Sequence, residues 1–207
     1  MRMKPKWLEW AAEIQSIAQA GLTFTVNSYD RDRYEQLRTL AVDIINNYTE
    51  IPHEKVRDLF AGETGYQTPK VDVRAAVFRD DQILMAREKI DGRWSLPGGW
   101  ADVNTTIGES AVRECLEEAG AIVVPERIIA IHTADRQHEF IYPYTIYKIF
   151  VQCRLVEVNF RENTETFGSA FFSLNKLPEL STERNTLRQI EMCFDAHNRE
   201  HFEALFD

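Results

Sequence analysis

The sequence predicts an α/β protein in which a small all-helical unit precedes a strand-rich domain, and three observations carry that reading. Apolar residues recur at helical three-four spacing from Trp7 to Phe60. From Val71 onward, β-branched apolar stretches bounded by turn residues take over. Between the two lies Gly62 to Lys70, a polar segment with Gly65 and Pro69 that breaks both periodicities. The boundary is therefore placed at residues 66/67, giving a helical unit 1–66 and a second domain 67–207.

The first helix is expected from Trp7 to Leu22, with Trp7, Trp10, Ala11, Ile14, Ile17 and Ala18 on one face and Gly21 as its stop. A second should run from about Asp30 to Asn47 on Tyr34, Leu37, Leu40, Ala41, Ile44 and Ile45. Pro52 suits the first turn of a third, which would use Val56, Leu59 and Phe60 before Gly62. A unit of about sixty residues buries too little surface to be stable alone, so it should pack on the rest of the chain or on a second copy. Val71 to Phe78 and Gln82 to Ala86, joined by Asp80 and Asp81, read as a hairpin. Further strands are expected at Ile122 to Val124, Ile128 to Thr133, Thr145 to Leu155 and Ser169 to Ser173, and a last helix from Ser181 to about Phe206.

With 24 basic and 33 acidic residues, the net charge of -9 argues against a broad footprint for duplex nucleic acid. An acidic protein that handles phosphates needs cations at its site, which points towards a metal. Cys115, Cys153 and Cys193 lack metal-ligand spacing or a disulfide pattern, and reduced thiols in a cytoplasmic protein are expected. The N-terminal stretch, interrupted by Glu9, Glu13 and Gln15, reads as neither a signal-peptide core nor a membrane span.

The chemistry concentrates between Trp94 and Gly120. Thr106 with Glu109 forms a capping box, and Gly120 stands where a left-handed C-terminal cap belongs, so a helix is predicted over Ile107 to Ala119. On it, Glu114, Glu117 and Glu118 project from neighbouring positions. Three like charges so close repel, and solvent, a salt bridge to Arg113 or a divalent cation could each offset that. Hard cations such as Mg²⁺ favour carboxylate oxygens and bridge to substrate phosphates. Just upstream, Pro97, Gly98 and Gly99 make a turn whose backbone can approach a ligand closely.

Gly99, Arg113, Glu114, Cys115, Glu117, Glu118 and Gly120 together resemble the signature of the Nudix hydrolases. The arginine, three glutamates and final glycine would coincide by chance with a probability on the order of one in a thousand. Trp-Leu-Glu-Trp-Ala at Trp7, Val71 to Arg74, Trp94 to Asp102 and Leu177 to Ser181 are similar to the Nudix subgroup with an added N-terminal helical domain, which includes CDP-choline and ADP-ribose pyrophosphatases. The resemblance departs at Thr105, where the family has a glutamate that supports the arginine and the metal's water shell; Glu109, one turn before Arg113, could pair with it instead.

The resemblance implies an α/β/α sandwich with a mixed β-sheet, and a homodimer. It implies Mg²⁺ or Mn²⁺ held by Glu114, Glu117 and Glu118 with a backbone carbonyl of Gly98 or Gly99, and Glu165 as a further ligand or base. The expected reaction is attack of water on a nucleoside diphosphate compound, with Arg113 orienting the glutamates. Substrate contacts are less legible. Arg136, His138 and Tyr144 are candidates in the aromatic and polar stretch His132 to Tyr147, which could equally pack a core or dimer interface, and Arg87 at the end of the second strand is a candidate phosphate contact. The same metal site could act on RNA 5′ ends or phosphodiesters, with salt-dependent binding as its signature. A non-catalytic ligand sensor would predict eroded glutamates, and these are intact.

Overall fold

The structure is a computed structural model that describes residues 5–49, 56, 61–134 and 144–207. It divides into two compact units, one formed by the residues up to Pro69 with Tyr144 and Thr145, the other by the chain from Lys70 without those two.

In the helical unit, α1 (Lys6–Phe24) packs against α2 (Ser28–Tyr48). Leu8, Ala11, Ala41, Val42, Ile45, Val56 and Ala61 make its core, and Trp7 stacks on Tyr48 at 4.9 Å. The buried face of α1 is rotated from the expected one. It runs through Leu8, Ala11, Gln15, Ala18 and Gln19, while Trp10 is 59% and Ile17 55% exposed. Alanines on both helices allow close approach, and the buried glutamines are bonded: Gln15 donates to Gln19, and Gln19 to the Gly65 carbonyl at 2.8 Å. Gly21 does not end α1. A Cβ there would lie 2.3 Å from the Tyr34 ring, so this glycine makes room for α2 inside a continuing helix. Of the expected third helix only Val56 and Ala61 fall among the described residues, and both are helical and buried.

The second unit is an α/β/α sandwich. Its mixed sheet has the order β3-β2-β1-β6-β5-β8, with β4 pairing β1 and β7 pairing β2. The strands are β1 (Lys70–Arg79), β2 (Gln82–Glu88), β3 (Trp94–Ser95), β4 (Gly98–Trp100), β5 (Ala121–Thr133), β6 (Ile146–Val158), β7 (Thr166–Phe172) and β8 (Leu205–Phe206). The β1–β2 hairpin turns on Asp80 and Asp81, both at positive φ, as a two-residue connection requires. β1 runs parallel to β6, with Asp72 beside Lys148. The two strands expected between Ile122 and Thr133 are one, β5, whose register shifts around Pro125 accommodate the missing N–H.

Alternation along the strands feeds two cores. On one face α3 (Ile107–Ala119) sets Ala111, Cys115 and Ala119 against Val73, Ala75, Val77, Val123 and Val151. On the other, α4 (Leu187–His197) sets Ile190, Cys193 and Phe194 against Ala76, Ile83, Met85 and Phe150. The last helix is thus much shorter than expected. Thr186 and Gln189 form a capping box that starts it, Ser181 to Asn185 are used to hold β3 and the turn after it, and Leu205–Phe206 joins the sheet beside β5. All three cysteines are free and buried, and burial raises each thiol, Cys153 to about 12.

Candidate active site

The sequence of α3 determines both of its ends. The Thr106 backbone N–H donates to the Glu109 carboxylate at 2.8 Å, and the Glu109 N–H returns the bond to the Thr106 hydroxyl. At the other end Gly120 adopts φ 63, where a Cβ would come within 2.5 Å of the Asn159 carbonyl. Glu114 and Glu118 consequently face inward and are buried, while the Glu117 side chain stays 58% exposed.

The turn from Leu96 to Trp100 is held against this helix. The Gly98 N–H donates to Glu118 Oε2 at 2.8 Å. Gly98 has φ 150, and a Cβ on it would sit 2.0 Å from the Val73 carbonyl, so only glycine lets β4 close on β1. A Cβ on Gly99 would lie 3.0 Å from Glu114 Oε1, so its absence leaves space beside that carboxylate. Both backbone groups of Leu96 are fixed by buried side chains: its N–H donates to Asn185 Oδ1 at 2.8 Å, and its carbonyl accepts from Arg74 Nη1 at 3.2 Å.

Helix and turn form two walls of a cleft of about 520 Å³. Glu88, Glu114, Glu117, Glu118, Glu165 and Asp102 supply carboxylates, and Lys89, Arg113 and Arg184 supply cations. Burial pushes Glu118 up to about 8 against the pull of Arg74 and the Gly98 N–H, with Glu88 and Glu114 adding repulsion. Burial also raises Glu114, opposed by Arg113 and Arg74. Arg113 spans Glu114 at 2.8 Å, Glu117 at 2.9 Å and Asp102 at 3.2 Å. Glu109 stays in the capping box, and Asp102 is the carboxylate that meets Arg113 from the loop. Thr105 links the same loop to the helix start, donating to the Asp102 carbonyl at 2.7 Å and lying 3.1 Å from the Ser110 hydroxyl.

Glu165 reaches the cleft because its loop is tied to the end of α3. Asn163 donates to the Glu117 carbonyl at 2.7 Å, Thr166 to that of Glu118 at 2.8 Å, and the Glu165 carbonyl accepts from the Lys89 N–H. Glu114, Glu117, Glu118, Arg113, Gly98, Gly99 and Glu165 therefore meet in one cleft. Arg87 does not line it. Strand alternation turns Arg87 outward, where it bonds the Gly92 carbonyl at 2.9 Å, and turns Glu88 inward. Tyr144 belongs to the helical unit, near Ala12, Ser16 and Pro69. Arg136 and His138 lie outside the described residues. Glu88, Lys89, Trp100, Asp102 and Arg184, to none of which sequence reasoning gave a role, are further groups at the cleft. Only the adjacency of Trp100 and Asp102 to the glycine turn could have signalled two of them.

The chain matches the UDP-X-like N-terminal oligomerisation domain over residues 5–60 and the NUDIX domain over residues 68–191. It is 42% identical, over the whole of both chains, to a Bacillus subtilis strain 168 protein named "Putative ADP-ribose pyrophosphatase YjhB". Among solved structures, an ADP-ribose pyrophosphatase of Streptococcus suis 89-1591 is 43% identical with a TM-score of 0.63, over 68% of this chain and all of that one. A UDP-X diphosphatase is 30% identical with a TM-score of 0.63, over 97% of this chain and 98% of that one. The chain belongs to the Nudix hydrolase family, as a Nudix pyrophosphatase that carries the UDP-X-like N-terminal domain. Hydrolases of this family work with divalent metal ions. Among the described residues, no helix is long and apolar enough to cross a membrane.

Proposed function

We propose that the protein hydrolyses the diphosphate bridge of a nucleoside diphosphate joined to a second moiety, with ADP-ribose the first candidate and UDP-sugars or CDP-choline as alternatives. The products are a nucleoside monophosphate and a phosphorylated partner. The observation that carries this reading is the cleft in which a glycine turn faces Glu114, Glu117 and Glu118, with Lys89 and Arg184 also on its lining. The preference for ADP-ribose rests on the names of the relatives above 40% identity.

The donor set suits Mg²⁺ or Mn²⁺: all its oxygens are hard, and Gly99 leaves room beside Glu114 that a side chain would fill. As the side chains stand, no group of three carboxylates among the described residues is arranged around an ion position. Arg113 draws Glu114 and Glu117 to itself and the Gly98 amide holds Glu118, so a bound ion would share the two glutamates with Arg113. The bound ion would neutralise phosphate oxygens and acidify a water. Arg113 orients the glutamates through its three ion pairs, and Lys89 and Arg184 offer charge-assisted contacts to the remaining phosphate oxygens. Glu118 or Glu165 accepts the proton of the attacking water; Glu118 lies against the glycine turn, and Glu165 is the more exposed of the two.

The helical unit serves as the contact between two copies. Trp10, Ile17 and Phe24 recur every seven residues along α1 and are exposed, which is the spacing of one edge of a helix-pairing seam. Three buried free thiols support placement in a reducing compartment, the cytoplasm.

Incubation with Mg²⁺ and, separately, ADP-ribose, UDP-glucose, CDP-choline and triphosphorylated RNA, with products read by ³¹P NMR, tests the reaction. Release of a nucleoside monophosphate from ADP-ribose or another of the small compounds is expected. Cleavage of RNA alone, or of nothing in the set with Mg²⁺ or Mn²⁺, would contradict the proposal.

A further inference from the structure

A closed ring of buried polar groups underlies the glycine turn. Arg74 on β1 donates from Nε to Asp72 Oδ1 at 2.8 Å and from Nη2 to Asp72 Oδ2 at 3.2 Å. Its third nitrogen, Nη1, holds the Leu96 carbonyl at 3.2 Å. The Leu96 N–H in turn donates to Asn185. Asn185 adjoins Glu183 and Arg184, whose carbonyls accept from Lys148 Nζ, and Lys148 closes the ring on Asp72 at 3.2 Å. Arg74, Asp72, Lys148 and Asn185 are each no more than 5% exposed.

Such a ring is costly to bury, and a structural role alone would be served by apolar side chains. Its charges are also unevenly durable. Arg74 is raised above its ordinary value by Asp72, Glu118 and Glu88 against the cost of burial, so it stays cationic, whereas burial brings Lys148 down to about 8. Arg74 also carries the geometry: a Cβ on Gly98 would lie 3.0 Å from its Cδ, and Gly98 is the residue whose N–H holds Glu118.

We propose that Arg74 is a positioning residue for the metal-binding box. Anchored by Asp72, it fixes the Leu96 carbonyl and thereby the Gly98 N–H, and it is the internal positive charge that lets Glu118 and Glu88 lie buried at the cleft. Lysine cannot replace it, because one ammonium cannot hold both carboxylate oxygens and the carbonyl in a planar fork. This inference rests on the metal-dependent reading of the cleft.

The test compares the wild type with Arg74→Lys and with the double variant Asp72→Asn/Arg74→Gln, measuring melting temperature, Mn²⁺ affinity by titration, and kcat and KM. The double variant removes both charges of the pair but also strips Lys148 of Asp72, so it should fold with a melting temperature below that of the wild type. Both variants are expected to bind Mn²⁺ at least about tenfold more weakly and to lose kcat with KM nearly unchanged. Wild-type Mn²⁺ affinity in Arg74→Lys, or in the folded double variant, would overturn the proposal. Failure of the wild type itself to bind Mn²⁺ would overturn the metal reading, and this inference with it.

Discussion

At the scale of single residues, Asp102 is the finding that sequence spacing did not anticipate. Thr105 occupies the position of a family glutamate, and i,i+4 geometry nominated Glu109 as its substitute, but Glu109 is committed to capping α3. Asp102 meets Arg113 from the loop instead, 3.2 Å away. Removing it by Asp102→Ala should cost little stability, roughly 0.5 kcal/mol for so exposed a pair. Activity should fall by about tenfold if loosening Arg113 lets Glu114 and Glu117 drift, a cost like that of other outer ligand supports. Steady-state kinetics with unchanged thermal melting would check this, and unimpaired kcat would show that Arg113 needs only its two glutamates. The same limit explains why Arg74, Asp72, Lys148 and Asn185 were invisible as a group. Asn185 and Leu96 are 89 positions apart and meet only once the sheet and the segment before α4 are assembled.

At the scale of elements, α3 was legible almost to the residue because its information is local: a capping box, a left-handed glycine and three glutamates within five positions. The end of α4 was not. Phe202 and Leu205 continue the helical spacing, but Phe202 packs on the core from beyond the helix and Leu205 pairs with β5, a choice made by the exposed flank of the sheet. The α1 face was misjudged for a related reason, since periodicity ranks Trp10 and Ile17 above Gln15 and Gln19, whereas packing of α2 selected the small side chains. The glycine turn yields the sharpest prediction at this scale. Gly98→Ala forces a Cβ to 2.0 Å from the Val73 carbonyl and should destabilise the second unit by about 3 kcal/mol or more, read as a lowered denaturation midpoint. Gly99→Ala only crowds Glu114 at 3.0 Å and should spare the fold while weakening metal binding. Equal melting losses in the two variants would sink this distinction.

At the scale of the whole molecule, the acidic cleft links stability, pH and metal. Glu118 is raised from 4.5 to about 8, so the fold favours its protonated form. That contribution to metal-free stability is complete below about 4.5 and is lost as pH rises through about 8. Mg²⁺ competes with the proton, so the rise in melting temperature it produces should grow across the same window. A metal increment that is constant from pH 5 to pH 8 would contradict the assignment of Glu118 as a ligand. The helical unit bears on assembly: Ile17→Glu, placed on the exposed side of α1, should shift sedimentation from dimer to monomer while leaving the α1–α2 core intact, and an unchanged dimer would exclude that seam.

The most direct test of the central claim is turnover of the best diphosphate substrate by wild type and Glu118→Gln across a Mg²⁺ titration. Mg²⁺-dependent release of nucleoside monophosphate by the wild type, with turnover of the folded variant reduced by about a thousandfold or more, is the predicted result. Comparable turnover by the variant, or wild-type hydrolysis that persists without a divalent ion, would contradict it.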